Sequence, residues 1–156
     1  MVRVLPDAGL AIRAAVPSDA SFIGQLSRQA FGEYDPSAER TTSKMMLEAG
    51  ARTLLVERDG QALGFVILRA EENGVLALNA IAVLARERGR GVGKQLMRAT
   101  EHYARSCGLH LLSLNTAQAN LAALDLFLRS GFVITERHAV RYWRGQPACK
   151  LVKRLR

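Results

Sequence analysis

The stretch Ile81-Ala82-Val83-Leu84-Ala85-Arg86-Glu87-Arg88-Gly89-Arg90-Gly91-Val92-Gly93-Lys94-Gln95-Leu96 leads an apolar run through a basic, glycine-rich turn into a segment with helical spacing. A helix start leaves several backbone N–H groups unpaired and concentrates partial positive charge. Phosphate oxygens fill such donors when the backbone can approach closely. Glycine at 89, 91 and 93 removes the side chains that would block that approach. Arg86, Arg88, Arg90 and Lys94 add charge around the same point. A pyrophosphate ligand is the economical reading. Two familiar phosphate loops fail on the letters. The P-loop requires glycine at 88 and Ser or Thr at 95, where the chain has Arg88 and Gln95. The dinucleotide fingerprint would need glycine at Lys94 when counted from Gly89, and at Leu96 when counted from Gly91.

The rest of the chain supplies alternating elements. Leu10 to Val16 reads as an opening strand, and Ser18 or Asp19 as the cap of a helix burying Phe22, Ile23, Leu26 and Ala30. Gly32 to Ser37 breaks that helix. A second is expected from Ser37 to Ala49, with Met45, Met46 and Ala49 inward and Gly50 closing it. Arg52 to Arg58 and Gln61 to Arg69 flank Asp59-Gly60, a strong hairpin signal. Val75 to Leu84 adds a third strand after the turn at Glu72-Asn73-Gly74. A helix follows from Gly91 to Cys107, burying Val92, Leu96, Ala99, Thr100 and Tyr103. Then come a strand from Leu109 to Asn115, a helix from Asn120 to Ser130, and two strands, Phe132 to Trp143 and Ala148 to Leu155. The fold class expected is mixed α/β, α+β-like, in a single domain over residues 1–156.

Bulk properties exclude other classes. Apolar residues make up 49% and charged residues 23%, so neither disorder nor fibre is indicated. No apolar run approaches the roughly 20 residues of a membrane span. Met1 to Asp7 lacks the pattern of a signal peptide, so a cytoplasmic address is expected. Cys107 and Cys149 make no disulfide framework, and His102, His110 and His138 show no ligand spacing, so no metal is expected. The net charge of +8 is uneven: residues 1–78 carry 8 Lys/Arg against 10 Asp/Glu, residues 79–156 carry 14 against 4. The second half is suited to an anionic partner.

The turn also fits R-x-x-G-x-G, met by Arg88-Gly89-Arg90-Gly91-Val92-Gly93 after a strand containing Ala82-Val83. In this the chain resembles the GNAT superfamily of acyl-CoA-dependent N-acetyltransferases. The likeness widens downstream, where Asn115 to Phe132 looks like that family's strand, Asn-led helix and closing Gly-Phe. With the preceding helix–helix–hairpin order, it covers nearly the whole chain. The resemblance implies a central, mostly antiparallel sheet flanked by helices, with acetyl-CoA as co-substrate. It implies that the main chain of Ala82 and Val83 pairs with the pantetheine arm like an added strand. The amides of Arg88, Gly89, Arg90, Gly91, Val92, Gly93 and Lys94 would hold the pyrophosphate, with side-chain help from Arg88 and Lys94. Asn120 would position the cofactor, cap its own helix, or both.

By the same resemblance, a neutral amine attacks the thioester directly in a ternary complex. The acceptor is a primary amine of a small molecule or polypeptide. Relatives often place Tyr at the position of Phe127, to protonate the sulfur; phenylalanine lines the cofactor site but donates nothing. Tyr34, Tyr103, Tyr142 or water substitutes, or the thiolate, a good leaving group, needs little help. The strand Leu78-Asn79-Ala80-Ile81-Ala82-Val83 offers no carboxylate base. Asn79 can order a water, and Glu33 and Asp35 beside Tyr34 are the acidic candidates on the acceptor side. Two rivals remain at this level: a non-catalytic acyl-CoA sensor, and a transferase acting on an RNA-linked amine such as charged tRNA. The basic run Arg137, Arg141, Arg144, Lys150, Lys153, Arg154 and Arg156 suggests the latter. An exposed terminal strand also offers an edge for a homodimer.

Overall fold

Four central strands carry apolar residues on both faces, which forces helices onto both sides of the sheet. The computed structural model describes residues 9–156, apart from the side chains of residues 139 and 140. Residues 1–7, the basis of the signal-peptide reading, lie outside it. The order is β1 (Leu10–Ala14), α1 (Ala20–Phe31), α2 (Ala38–Leu47), β2 (Ala51–Arg58), β3 (Gln61–Glu71), β4 (Val75–Val83), α3 (Val92–Ser106), β5 (Leu111–Ala117), α4 (Leu121–Arg129), β6 (Val133–Arg141) and β7 (Pro147–Arg154). The seven strands form one sheet in the order β1-β2-β3-β4-β5-β7-β6. Only the β4–β5 pair is parallel. The mixed α/β architecture with a mostly antiparallel sheet is the one expected.

Alternation along the strands sorts the core into two layers. Leu54, Val56, Val66 and Leu68 face α3 and α4, packing with Leu96, Leu112 and Phe127. Leu55, Phe65 and Ile67 face the other way, against Ile23 and Leu26 of α1. Each fully buried side chain of this size contributes about 1.5–3 kcal/mol of transfer free energy. The hairpin at Asp59-Gly60 forms as expected, with φ of 53° and 79° at its two central residues. Among the described residues no helix is long and apolar enough to cross a membrane.

Three local expectations need correction. Asp19 precedes α1 but does not cap it. Its carboxylate turns back to accept the Val16 amide at 2.7 Å and both Arg13 Nη atoms at 2.8 Å. A charge-assisted fork outcompetes a single amide. Next, α2 stops at Leu47, and Ala49 is exposed; Ala38 and Thr42 are its buried residues instead. Finally, α3 buries Val92, Leu96 and Thr100 as expected, but Met97 and Ala104 complete the buried stripe, and Ala99 and Tyr103 are only half-buried at its margin.

Candidate active site

β4 changes face half-way along its length. Leu78 pairs with Leu68 and Ala80 with Ile67, so Asn79 is an extra residue on the β4 side. This bulge flips the alternation. Leu76 and Leu78 belong to the α3/α4 layer, whereas Ala80 and Ala82 belong to the α1/α2 layer. Bulges bend and twist the strand that carries them. Accordingly β4 pairs with β5 only from Val75–Leu111 to Ala77–Ser113, and the two strands part before Asn79 is reached. Beyond that point a cleft of about 220 Å³ opens between them. Leu78 to Ile81 form one wall, Leu114 to Ala117 the other. Asn120, Ala123 and Phe127 of the α4 segment line it from one side of the sheet.

Where β4 ends, the chain turns into α3. Gly91 holds φ 88°, ψ 0°, a left-handed conformation that turns the loop directly into the helix. The first amide of this helix to find a backbone carbonyl is that of Gln95, at 3.0 Å from Gly91. The amides of Gly89, Gly91, Val92, Gly93 and Lys94 donate to no backbone carbonyl among the described residues. No side chain caps the helix. At Gly93 a Cβ would stand 3.3 Å from Leu126 of α4 and 3.9 Å from Val83, so a bare backbone keeps this helix start close to β4 and α4. Arg88 and Lys94 are exposed and form no ion pair with another described residue. Glu87 is the loop's anchor. It is 4% exposed and accepts Arg58 at 3.1 Å, with Arg90 and Arg86 at 3.7 and 3.9 Å. Three guanidinium groups around one carboxylate leave the loop cationic while tying it to the β2–β3 hairpin.

The opposite mouth is built from side chains. Tyr34 and Asp35, in the turn between α1 and α2, line the cleft, as do Phe31, Thr41 and Met45. Tyr142, just past β6, joins them, its ring centroid 5.5 Å from that of Tyr34. The Trp143 amide donates to the Tyr34 carbonyl at 3.2 Å, and Gln146 Nε2 to the Glu33 carbonyl at 3.0 Å. The β6–β7 hairpin thus straps the α1–α2 turn. Burial pushes the Tyr34 phenol above its ordinary value, helped by the nearby Glu33 charge. Tyr142 is raised likewise, by burial first and by Tyr34 second. Both remain protonated donors at neutral pH. Asp35 accepts the Ser37 amide at 2.8 Å and the Thr41 hydroxyl at 2.7 Å.

A mostly antiparallel sheet with a glycine-rich turn and open amides directly after β4 is the arrangement that the sequence resemblance implies. The model of the acetyltransferase (GNAT) family matches residues 21–132. The chain belongs to that family. It is an acyl-CoA-dependent N-acetyltransferase of the family. It is 29% identical over 134 residues to an aminoglycoside N(6')-acetyltransferase type 1 of Stenotrophomonas maltophilia, covering 81% of this chain and 88% of that protein. A protein of the same name from Klebsiella aerogenes is 33% identical over 119 residues, 72% of this chain and 77% of its own length. Ard1 from Thermoplasma volcanium shares the fold, with a TM-score of 0.85 at 20% identity, over 96% of this chain and 99% of that one.

Within this family frame, Tyr34, Asn79, Asn120 and Phe127 come together in one cleft. Asn120 also caps α4, its Oδ1 accepting the Ala123 amide at 3.2 Å, while lining the cleft. Ala82, Val83 and residues 88–94 lie outside the cleft lining but continue directly from Ile81, which lines it. Glu33 does not line the cleft; it is exposed, and its carbonyl serves the strap. Tyr103 sits elsewhere, its ring 5.5 Å from the Arg52 guanidinium. Phe127 is 3% exposed and packs edge-on to Phe132. Sequence reasoning missed the Asn79 bulge, the Glu87 anchor and the strap. The first had a signal: Asn79 interrupts an otherwise apolar strand, where Asn is disfavoured.

Proposed function

We propose that residues 1–156 act as one domain transferring an acetyl group from acetyl-CoA to a primary amine within the cleft between β4 and β5. The observation that carries this reading is the set of open amides at the start of α3, next to a strand whose neighbour has peeled away. Five amides and four cationic side chains around Gly91 fit a diphosphate. The edge of β4 at Ala82 and Val83 suits an amide-bearing arm that adds as a strand. Bound there, acetyl-CoA supplies an activated acyl carbon and a thiolate leaving group.

The chain's own residues then divide the remaining work. An acceptor ammonium first gives one proton to solvent, by way of water ordered at Asn79, with Glu33 at the rim as a further acidic group. The neutral nitrogen forms its bond to carbon as the carbon–sulfur bond breaks, and the second proton passes to sulfur. Phe127 cannot deliver that proton. The phenols of Tyr34 and Tyr142 are the donors the cleft contains, and their raised pKa keeps them protonated. Asn120 fixes the start of α4 against the same cleft.

The test is release of coenzyme A, followed with a thiol reagent, from acetyl-CoA over a panel of primary amines. Amine-dependent release, with acetylated amine formed in equal amount, is the expected result. Binding of acetyl-CoA without transfer to any amine would contradict the proposal.

A further inference from the structure

We propose that the acceptor is a primary amine bearing a single positive charge on an apolar or aromatic body, its ammonium held by Asp35 against the rings of Tyr34 and Tyr142. This rests on the transferase reading above and narrows its substrate class. Asp35 is the one charged side chain among the described residues that line the cleft. Each of its oxygens already accepts one hydrogen bond, from the Ser37 amide at 2.8 Å and the Thr41 hydroxyl at 2.7 Å. Those two bonds fix the carboxylate and leave a lone pair on each oxygen for an ammonium. Around it the acceptor side is mostly aromatic and aliphatic, with Phe31, Tyr34, Ala38, Met45 and Tyr142 beside Thr41 and Thr42. Ring faces attract a cation and cover its carbon skeleton at the same time.

The same arithmetic of charge disfavours polycations. An ammonium drawn out of water needs its own carboxylate or it remains an uncompensated buried charge. One carboxylate satisfies one ammonium. A second or third ammonium drawn into the cleft would meet no further carboxylate among the described lining residues. Despite the similarity in sequence to aminoglycoside acetyltransferases, the cleft is built for a smaller and less charged amine.

The experiment compares 2-phenylethylamine, spermidine and an aminoglycoside as acceptors for the intact protein with saturating acetyl-CoA. The expected kcat/KM for 2-phenylethylamine exceeds the other two by about ten-fold or more. In Asp35→Asn, its KM should rise by about ten-fold, with KM for acetyl-CoA unchanged. Asp35→Glu, which keeps the charge, should recover most of that loss. A preference for spermidine or the aminoglycoside would overturn the inference and leave the transferase reading intact. So would an unchanged KM in Asp35→Asn, or an equal loss in Asp35→Glu, which would make Asp35 a purely structural cap. Bound acetyl-CoA with no transfer to any of the three would overturn both.

Discussion

Beyond Ile81 the chain offers backbone, at the start of α3; at the opposite mouth the cleft is lined by side chains. The first region is a continuous stretch of sequence, Ile81 to Leu96, whose proposed role rests on what is missing: side chains at three glycines and carbonyls opposite five amides. The second is assembled from the α1–α2 turn and the β6–β7 hairpin, 113 residues apart at the Glu33–Gln146 contact. The contrast teaches how each fails. Adding atoms should damage the first, and removing atoms should damage the second.

The largest effect is expected at the backbone end. Gly91→Glu places bulk and negative charge among the open amides, and should weaken acetyl-CoA binding by about a hundred-fold or more. Loss of the left-handed glycine should also cost about 1–2 kcal/mol of stability, so a thermal melt must accompany the binding assay. Lys94→Glu, on an exposed helical position, carries the charge change without the backbone strain. Unaltered affinity in both variants would remove the distinction between the two ends.

Next come the phenols. Tyr142→Phe should lower kcat by about ten-fold or more while leaving acetyl-CoA affinity alone, and Tyr103→Phe, away from the cleft, should change neither. Because burial raises both cleft phenols above the ordinary value of 10, the donor form persists as pH rises. The loss of rate due to phenol ionisation should therefore set in at a higher pH than it would for a free phenol. A limb near pH 8 that disappears in Tyr142→Phe would contradict this. A smaller effect is expected at the strap. Gln146→Ala removes one hydrogen bond worth about 1 kcal/mol, and should raise the acceptor KM a few-fold with KM for acetyl-CoA unchanged.

The smallest effect lies outside the cleft. Arg13 first, and the Val16 amide as well, hold the Asp19 carboxyl below its ordinary value of 3.8. A depressed folded value stabilises the fold above that pH, and the contribution drains away as pH falls below it. Asp19→Asn should therefore lower Tm modestly at neutral pH and converge with the parent below about pH 4. Parallel melting curves across that range would show that the Arg13 fork does not couple to stability.

The same contrast explains what the sequence could tell. The turn from Arg88 to Lys94, with its open amides, was legible because a tight entry into a helix with a bare backbone needs glycine at local, fixed spacing. The helices and hairpins were legible because apolar residues recur at 3.6 or 2 and turns carry Asp-Gly or Asn-Gly. Asp19 was misjudged since a nearby Arg13 on another element outbid the helix amides. Asn79 was seen as a residue but not as a bulge, and only the register against Leu68 and Ile67 reveals that it reverses the faces of β4. The strap was invisible: nothing in Trp143 or Gln146 announces a partner in a turn more than a hundred residues earlier.

The central claim is that the open amides at the head of α3 receive the diphosphate of the acyl donor. Amide hydrogen exchange, with and without saturating acetyl-CoA, tests it residue by residue. Exchange should slow sharply at Gly91 to Lys94 on binding, with lesser slowing at Ala82 and Val83. Acetyl-CoA that binds while these amides exchange at their original rates would contradict the account.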